Sequence, residues 1–443
     1  MKRFISTLTN IFKIEDLRVR ILNTLLLLLI YRVGSFIVLP GVDPSLVESK
    51  QAQDGILGLL NMFAGGSFAR SSVFALGVMP YISASIVVQL FGIVIPYFQR
   101  LQKEGESGRK KVNQITRYLT IIITAGQAIG YIKTQVPQEA ITISQSLFTI
   151  SSIFVLTTGT MFVMWLGERI TDKGLGNGIS LIIMVGIIAQ LPGALYFEGA
   201  SRLSVNGGGL IPFIIELAAL VFVVIFTILL VQGTRKIPVQ YAKRIVGNKQ
   251  YGGVRQYIPL KVNSAGVMPI IFAQAIMFIP GTLASFMPES GFAQVVGTNL
   301  GNPNSLSYNL LFAFMIIAFT YFYTAITVNP NQMADDMKRN GGFVPGIKPG
   351  KKTSEFIDAV ISRITLPGSV FLAIVAILPS IAVIMGINTQ FANFYGGTSL
   401  LIMVGVVLDT LQQIESHLLM RQYDGLMKTG RIKGRTPAGA AAI

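Results

Sequence analysis

Residues 210–236 read LIPFIIELAALVFVVIFTILLVQGTRK. From Leu210 to Val231 the only charge is Glu216, and the run closes on a polar boundary carrying Arg235 and Lys236. A helix rises about 1.5 Å per residue, so a segment of this length crosses the roughly 30 Å hydrocarbon core of a bilayer. The stretch is therefore a membrane span that ends in a basic loop.

Working outward, nine further apolar stretches share that form. Before it lie about Leu22 to Leu39, Ser72 to Ile95, Tyr118 to Ile132, Leu147 to Leu166 and Ile179 to Phe197; after it lie about Ser264 to Met287, Tyr308 to Val328, Thr365 to Ile387 and Gly396 to Leu411. The fold expected is an all-α polytopic membrane protein with ten transmembrane helices. Basic residues then orient it: 31 of the 36 Lys and Arg fall in the amino-terminal segment, the carboxyl tail and the loops after spans two, four, six and eight. The positive-inside rule places those segments, and both termini, on the cytoplasmic side of the membrane. The net charge of +16 thus belongs to one face, suited to anionic lipids, an acidic protein or RNA phosphates.

The chain has no Cys and a single His, His417. Disulfides, thiolate nucleophiles, Cys-based zinc sites and haem ligation are thereby excluded, and neither metal nor cofactor is expected. His417 reads as a solvated or headgroup-level side chain. Lys2, Arg3, Lys13, Arg18 and Arg20 precede the first span, which ends in VLPGVDP without a small-residue cleavage pattern, so the span is expected to be retained.

Five spans precede the loop Glu198 to Gly209 and five follow it. Two halves of odd span number, 1–198 and 199–443, enter the membrane with opposite orientations, as in an inverted repeat with its working site near the midplane. Internal identity is weak, so the repeat follows from the span count. Residues 55–95 depart from the pattern: the apolar region is about twice a normal span and is broken by AGGSFARSS at 64–72. The piece before the break, Ile56 to Ala64, makes about 13 Å of helix, too short to cross. It lies in the interface or re-enters, and irregular backbone at depth needs protein or a wet cavity around it. Ile56, Leu59, Leu60 and Phe63 supply its apolar face and Gly65-Gly66 its turn. An interfacial helix and a movable plug fit these residues equally well.

Several blocks carry a resemblance: NMFAGGSFARSSVFALGVMPYISASIVVQL, KEGESGRKKVNQITRY, GTMFVMWLGERITDKGLGNGIS, YAKR, PLKVNSAGVMPIIFA, ADDMKRNGGFVPGIKPGKKT and YGGTSLLIMVGVVLDT. Together, and in order along nearly the whole chain, they resemble the SecY/Sec61-alpha family, the channel-forming subunits of the Sec protein translocon. The resemblance implies a clamshell of two five-helix halves hinged between spans five and six. It implies a protein-conducting channel for unfolded secretory polypeptides, with a lateral gate that releases signal sequences and membrane helices into lipid, and no enzymatic activity.

The resemblance also distributes roles over the residues. A mid-membrane ring of aliphatic side chains falls on Val78, Ile82, Ile179, Ile183, Ile271 and Ile402; branched aliphatics offer water no hydrogen bonds, so such a ring dewets and blocks ions yet yields to a passing chain. Taken singly, each of these is an ordinary packing or lipid-facing residue. The plug corresponds to about 56–70 and includes Ile56, Leu59, Leu60, Phe63, Gly65, Gly66 and Arg70. The lateral gate lies between spans two and three and spans seven and eight, with Ser83, Gln89, Gln127 and Gln274 as its polar residues. Polar contacts of this kind average about 0.6 kcal/mol, weak enough for a seam that opens; plain helix packing is the alternative.

The cytoplasmic loops at 232–262 and 329–363 are expected to dock partners through Lys243, Arg244, Lys249, Arg255, Lys348, Lys351 and Lys352. The partners implied are the ribosome, met through RNA phosphates, the SecA motor ATPase, the subunits SecE and SecG, preproteins with their signal sequences, and membrane lipids. The chain has Lys348 and Asn331 where the family often has Arg, and Lys cannot form the bidentate fork. No nucleotide motif is present; in GLGNGIS, Gly176 and Gly178 fit a tight helix start better than a phosphate cradle. A secondary transporter is the alternative from another class, but Arg32, Glu216 and Asp409 are few and scattered where coupling residues usually cluster. An intramembrane enzyme fails for want of a nucleophile–base pair or metal ligands.

Overall fold

In the computed structural model, residues 14–48, 61–204, 209–241, 244–246, 249–251, 255–274, 276–277 and 304–428 are described. Each of the ten apolar stretches contains a helix. These are α1 Glu15–Gly34, α2 Met79–Val94, α3 Glu106–Gln135, α4 Gln145–Lys173, α5 Gly178–Leu203 and α6 Leu210–Gln232. The others are α7, helical at the described positions of 268–277, then α8 Leu306–Thr327, α9 Lys351–Ile384 and α10 Gly397–Lys428. Among the described residues, α4, α5, α6, α8, α9 and α10 are long and apolar enough to cross a membrane on length and composition alone. The sequence shows why α1 and α3 are not: Arg18, Arg20 and Arg32 lie on α1, and the first half of α3 is polar.

Several boundaries differ from those expected. Span two starts as turns at 72–78 and becomes helix only at Met79. The helix at the end of span five continues to Leu203, so the connection to α6 shrinks to Ser204–Gly209 and the division at residue 198 falls inside a helix. Helix α9 begins at Lys351, fourteen residues before the expected span, and the 329–363 loop is largely helical because Pro330–Arg339 forms a helix of its own, capped by the Asn329 side chain.

Neighbouring helices pack along the chain, α2 with α3, α3 with α4, α4 with α5, and α8 with α9, while α5 meets both α6 and α10. Outward faces stay apolar: Leu25, Leu26, Leu29, Phe154, Ile211, Ile215, Phe222 and Leu229 are exposed, as expected of helices whose solvent is lipid. One feature was not foreseen. The segment after α6 forms β1 Thr234–Tyr241, β2 Arg244–Val246, β3 Lys249–Tyr251 and β4 Arg255–Lys261; β1 pairs antiparallel with β4, Ile237 opposite Ile258, β2 pairs with β3, and β5 Gly342–Phe343 joins the free edge of β1. Ile237, Val239 and Leu260 pack with Met337, Val344 and Ile357. The two basic loops are therefore one folded unit with a shared core, and a small sheet accompanies the helices.

Candidate functional site

A large apolar cluster draws on many of the helices, and α2, α5, α7 and α10 bring to it the aliphatic residues assigned to the ring. Val78 and Ile82 lie one helical turn apart on or just before α2, and Ile179 and Ile183 repeat that spacing on α5, so each pair shares a face. All six residues assigned to the ring pack in this one cluster, Val78, Ile183 and Ile402 buried and Ile82, Ile179 and Ile271 half-buried. Met62 and Phe63, from the segment before the Gly-Gly turn, pack into it as well.

That segment is held by polar contacts the sequence did not announce. Gly65 and Gly66 both have positive φ, +65° and +86°, a conformation that costs a residue with a Cβ about 1–2 kcal/mol. The turn exposes the Gly65 carbonyl, which accepts from Arg32 Nη1 at 2.7 Å and Arg70 Nη2 at 3.2 Å. Both guanidinium groups also lie over the Phe36 ring, at 5.1 and 4.3 Å. Gln190 on α5 donates to the Asn61 carbonyl at 2.8 Å, and the buried Tyr131 hydroxyl of α3 donates to the Phe68 carbonyl at 2.6 Å. On the α5 side the backbones nearly touch: a Cβ at Gly186 would sit 2.7 Å from the Phe63 oxygen, and one at Gly65 would sit 2.9 Å from the Gly186 Cα. Arg32, Gln190, Tyr131 and Gly186 are thus site residues missed in the sequence; only Arg32, a charge inside an apolar span, gave a signal.

Other expected site residues fall as follows. Ile56, Leu59, Leu60 and Lys243 lie outside the described residues, and Arg244, Lys249 and Arg255 are placed on strands by their backbone alone. Lys348 just before α9 and Lys351 and Lys352 in its first turn are exposed, with Lys352 paired to Glu355 at 3.1 Å. Asn331 accepts from Ser354 Oγ at 2.6 Å, tying the 330–339 helix to α9. The gate polars do not bond to one another: Ser83 donates to the Met79 carbonyl and Gln89 to Ser85, each on its own helix, and Gln274 accepts from Thr398 of α10 at 2.6 Å. Gln127 is half-buried on α3.

The glycine-rich turn before α5 holds no free cradle of amides. The Leu175, Gly176 and Gly178 N–H groups donate to Thr24, Gln413 and Thr171 side chains respectively, and Asn177 caps the helix. Among the described residues no group of three His, Cys, Asp or Glu is placed to hold a metal. Of the charges within spans, Arg32 rests on a carbonyl and Glu216 pairs with Arg202 at 2.6 Å, while Asp409 is exposed on α10.

The SecY family profile matches residues 72–411. The chain belongs to the SecY family. The protein translocase subunit SecY of Mycobacterium bovis is 44% identical over 450 residues, covering 97% of this chain and 100% of that protein. A solved structure of a protein-conducting channel superposes with a TM-score of 0.65 at 20% identity, covering 90% of this chain and 92% of that one. Sec61 in the canine ribosome–channel complex from the endoplasmic reticulum gives 0.62 at 19%, with the same coverage. As a member of the SecY family the chain is a multi-pass membrane protein, a protein-conducting channel and not an enzyme.

Proposed function

We propose that the aliphatic cluster is the seal of this channel and that the segment ending in Gly65-Gly66 is the plug resting against it. The observation that carries the reading is the meeting of Val78, Ile82, Ile179, Ile183, Ile271 and Ile402 with Met62 and Phe63 in a single apolar cluster. A constriction lined by such side chains gives ions no ligands and water no hydrogen-bond partners. The plug's tethers suit a part that leaves and returns, since each is a separate hydrogen bond to backbone rather than continuous packing of a long helix.

A lateral gate between α2/α3 and α7/α8 belongs to the same reading, as do SecE and SecG as companion subunits in the bacterial plasma membrane. Docking of SecA and of the ribosome falls to the unit formed by β1, β4 and the 344–352 tip. The ribosome reading is supported by the Sec61 ribosome–channel relative and by the exposure of Lys348, Lys351 and Lys352 toward a side where RNA phosphates are natural partners. The seal is tested by replacing Ile82, Ile183 and Ile402 together with Ser and measuring resting ion conductance of the purified complex in a planar bilayer. A rise of conductance in the idle channel is expected; an idle channel as tight as the unmodified one removes the seal assignment.

A further inference from the structure

At the end of the molecule away from the basic loops, one arginine joins elements of both halves. Arg202, in the last turn of α5, donates from Nε to Glu198 Oε1 at 2.9 Å, one turn back on its own helix. Its Nη2 reaches Glu216 Oε1 of α6 at 2.6 Å and the Gly386 carbonyl, just past α9, at 2.8 Å. Glu198 Oε2 in turn accepts from the Asn388 amide at 3.0 Å, and the Tyr395 hydroxyl donates to the Glu216 carbonyl at 2.7 Å. The side chains are 18% exposed for Arg202, 1% for Glu198 and 9% for Glu216. Neutralising Glu198 needs only the contact within α5. The guanidinium fork is used instead to hold three acceptors on three elements, a geometry an ammonium cannot copy.

We propose that Arg202 is a positioning residue, a strut that sets the resting angle between the α1–α5 and α6–α10 halves at the point where the chain passes from one to the other. This rests on the reading that the halves part when the channel opens. The position supports it: the connection Ser204–Gly209 is short, and a connection alone leaves rotation about it unopposed. The ion cluster opposes it, because every contact Arg202 makes beyond Glu198 is to the other half. Glu216 Oε2 is buried with no hydrogen-bond partner, so Glu216 depends on Arg202 for its compensation, and drawing α6 away from α5 strips that carboxylate of its cationic partner.

The test uses the full complex in lipid and exploits the absence of native cysteine. Spin labels are placed at Lys110→Cys on α3 and Lys338→Cys on the 330–339 helix, both exposed, and the inter-label distance distribution is measured by pulsed electron resonance. Arg202→Met combined with Glu198→Gln and Glu216→Gln removes the strut without leaving a buried charge unpaired; the distribution is expected to broaden and its mean to shift. Arg202→Lys, which keeps the charge and loses the fork, is expected to broaden it less. Should the triple variant not assemble, the lysine variant alone decides, and an unchanged distribution in whichever variant assembles overturns the proposal. Export of a preprotein with a weakened signal sequence is expected to rise several-fold in the same variants, which a merely stabilising pair would not produce. Because the distance measurement does not depend on which residues seal the pore, a shifted distribution with unaltered leak in the Ile-to-Ser channel separates failure of the seal assignment from failure of the strut.

Discussion

Substituting Gly186 by Ala isolates the contact between α5 and the plug. An alanine Cβ would lie 2.7 Å from the Phe63 oxygen and 3.2 Å from the Gly65 nitrogen. To reach ordinary contact at roughly 3.5 Å the 63–65 backbone must retreat by about 0.8 Å. Gln190, one turn further along α5, holds the Asn61 carbonyl at 2.8 Å, and that retreat carries the bond to about 3.6 Å, outside hydrogen-bonding range. Losing this bond and part of the Arg32 contact removes about 2 kcal/mol from the seated state. A shift of that size changes the ratio of unseated to seated plug about 30-fold. Within the helix the same change is favourable by up to about 1 kcal/mol, so the thermal midpoint should fall only slightly while resting conductance and opening frequency in a planar bilayer increase. Gly193→Ala is the control, on the same helix with nothing within 4 Å of the added carbon. Identical leak in the two variants would refute the reasoning.

Further expectations concern other parts of the site. Arg32→Met removes the nearer of two charged donors from the Gly65 carbonyl, a bond worth about 1.5–3 kcal/mol, and should raise resting leak in the same assay while export of normal preproteins continues. Tyr131→Phe deletes one bond to the Phe68 carbonyl, worth about 1 kcal/mol; a smaller increase in leak is expected, and an effect exceeding that of Arg32→Met would count against the arginine as the main tether. Lys348→Glu should leave membrane insertion intact, weaken SecA and ribosome binding in a co-sedimentation assay, and lower the salt dependence of ribosome binding by about one charge or more; unaltered binding would return the tip to lipid contact. A cysteine scan of α2 positions 83–89 against position 274 of α7 should find pairs whose oxidation blocks signal-bearing substrates, and undiminished export with a complete crosslink would remove the lateral exit.

The ten stretches were legible because each is a long apolar run bounded by charge or glycine, which is the constraint a bilayer imposes. Helix ends were not legible where helix outlasts the membrane: α3 begins at Glu106 and α9 at Lys351, both through polar residues that satisfy a helix as well as they satisfy water. The sheet was missed although Ile237 and Val239 alternate inward, because two residues of period two are a weak signal beside so many basic neighbours. Ring residues entered only through resemblance, since an isoleucine in an apolar span is uninformative alone. Of the plug's tethers only Arg32, a charge inside an apolar span, had a local signature, and the acceptors had none. Arg32 meets a carbonyl at Gly65 and Tyr131 one at Phe68, and a backbone acceptor looks the same in any sequence.

The turn before α5 ties the beginning of the chain to its end. Its Leu175 amide needs Thr24 of α1, and its Gly176 amide needs Gln413 of α10, the most carboxyl-terminal helix described. Synthesis proceeds from the amino terminus, and early segments fold as they emerge. The amino-terminal five helices can therefore gather around this turn while the Gly176 donor still lacks the Gln413 acceptor, and a buried backbone donor without an acceptor is costly. Ile402 of the aliphatic cluster arrives on the same late helix. Biogenesis thus has a built-in completion step: until α10 has been threaded into place, the newborn channel lacks both the closing bond of this turn and one side of its apolar cluster.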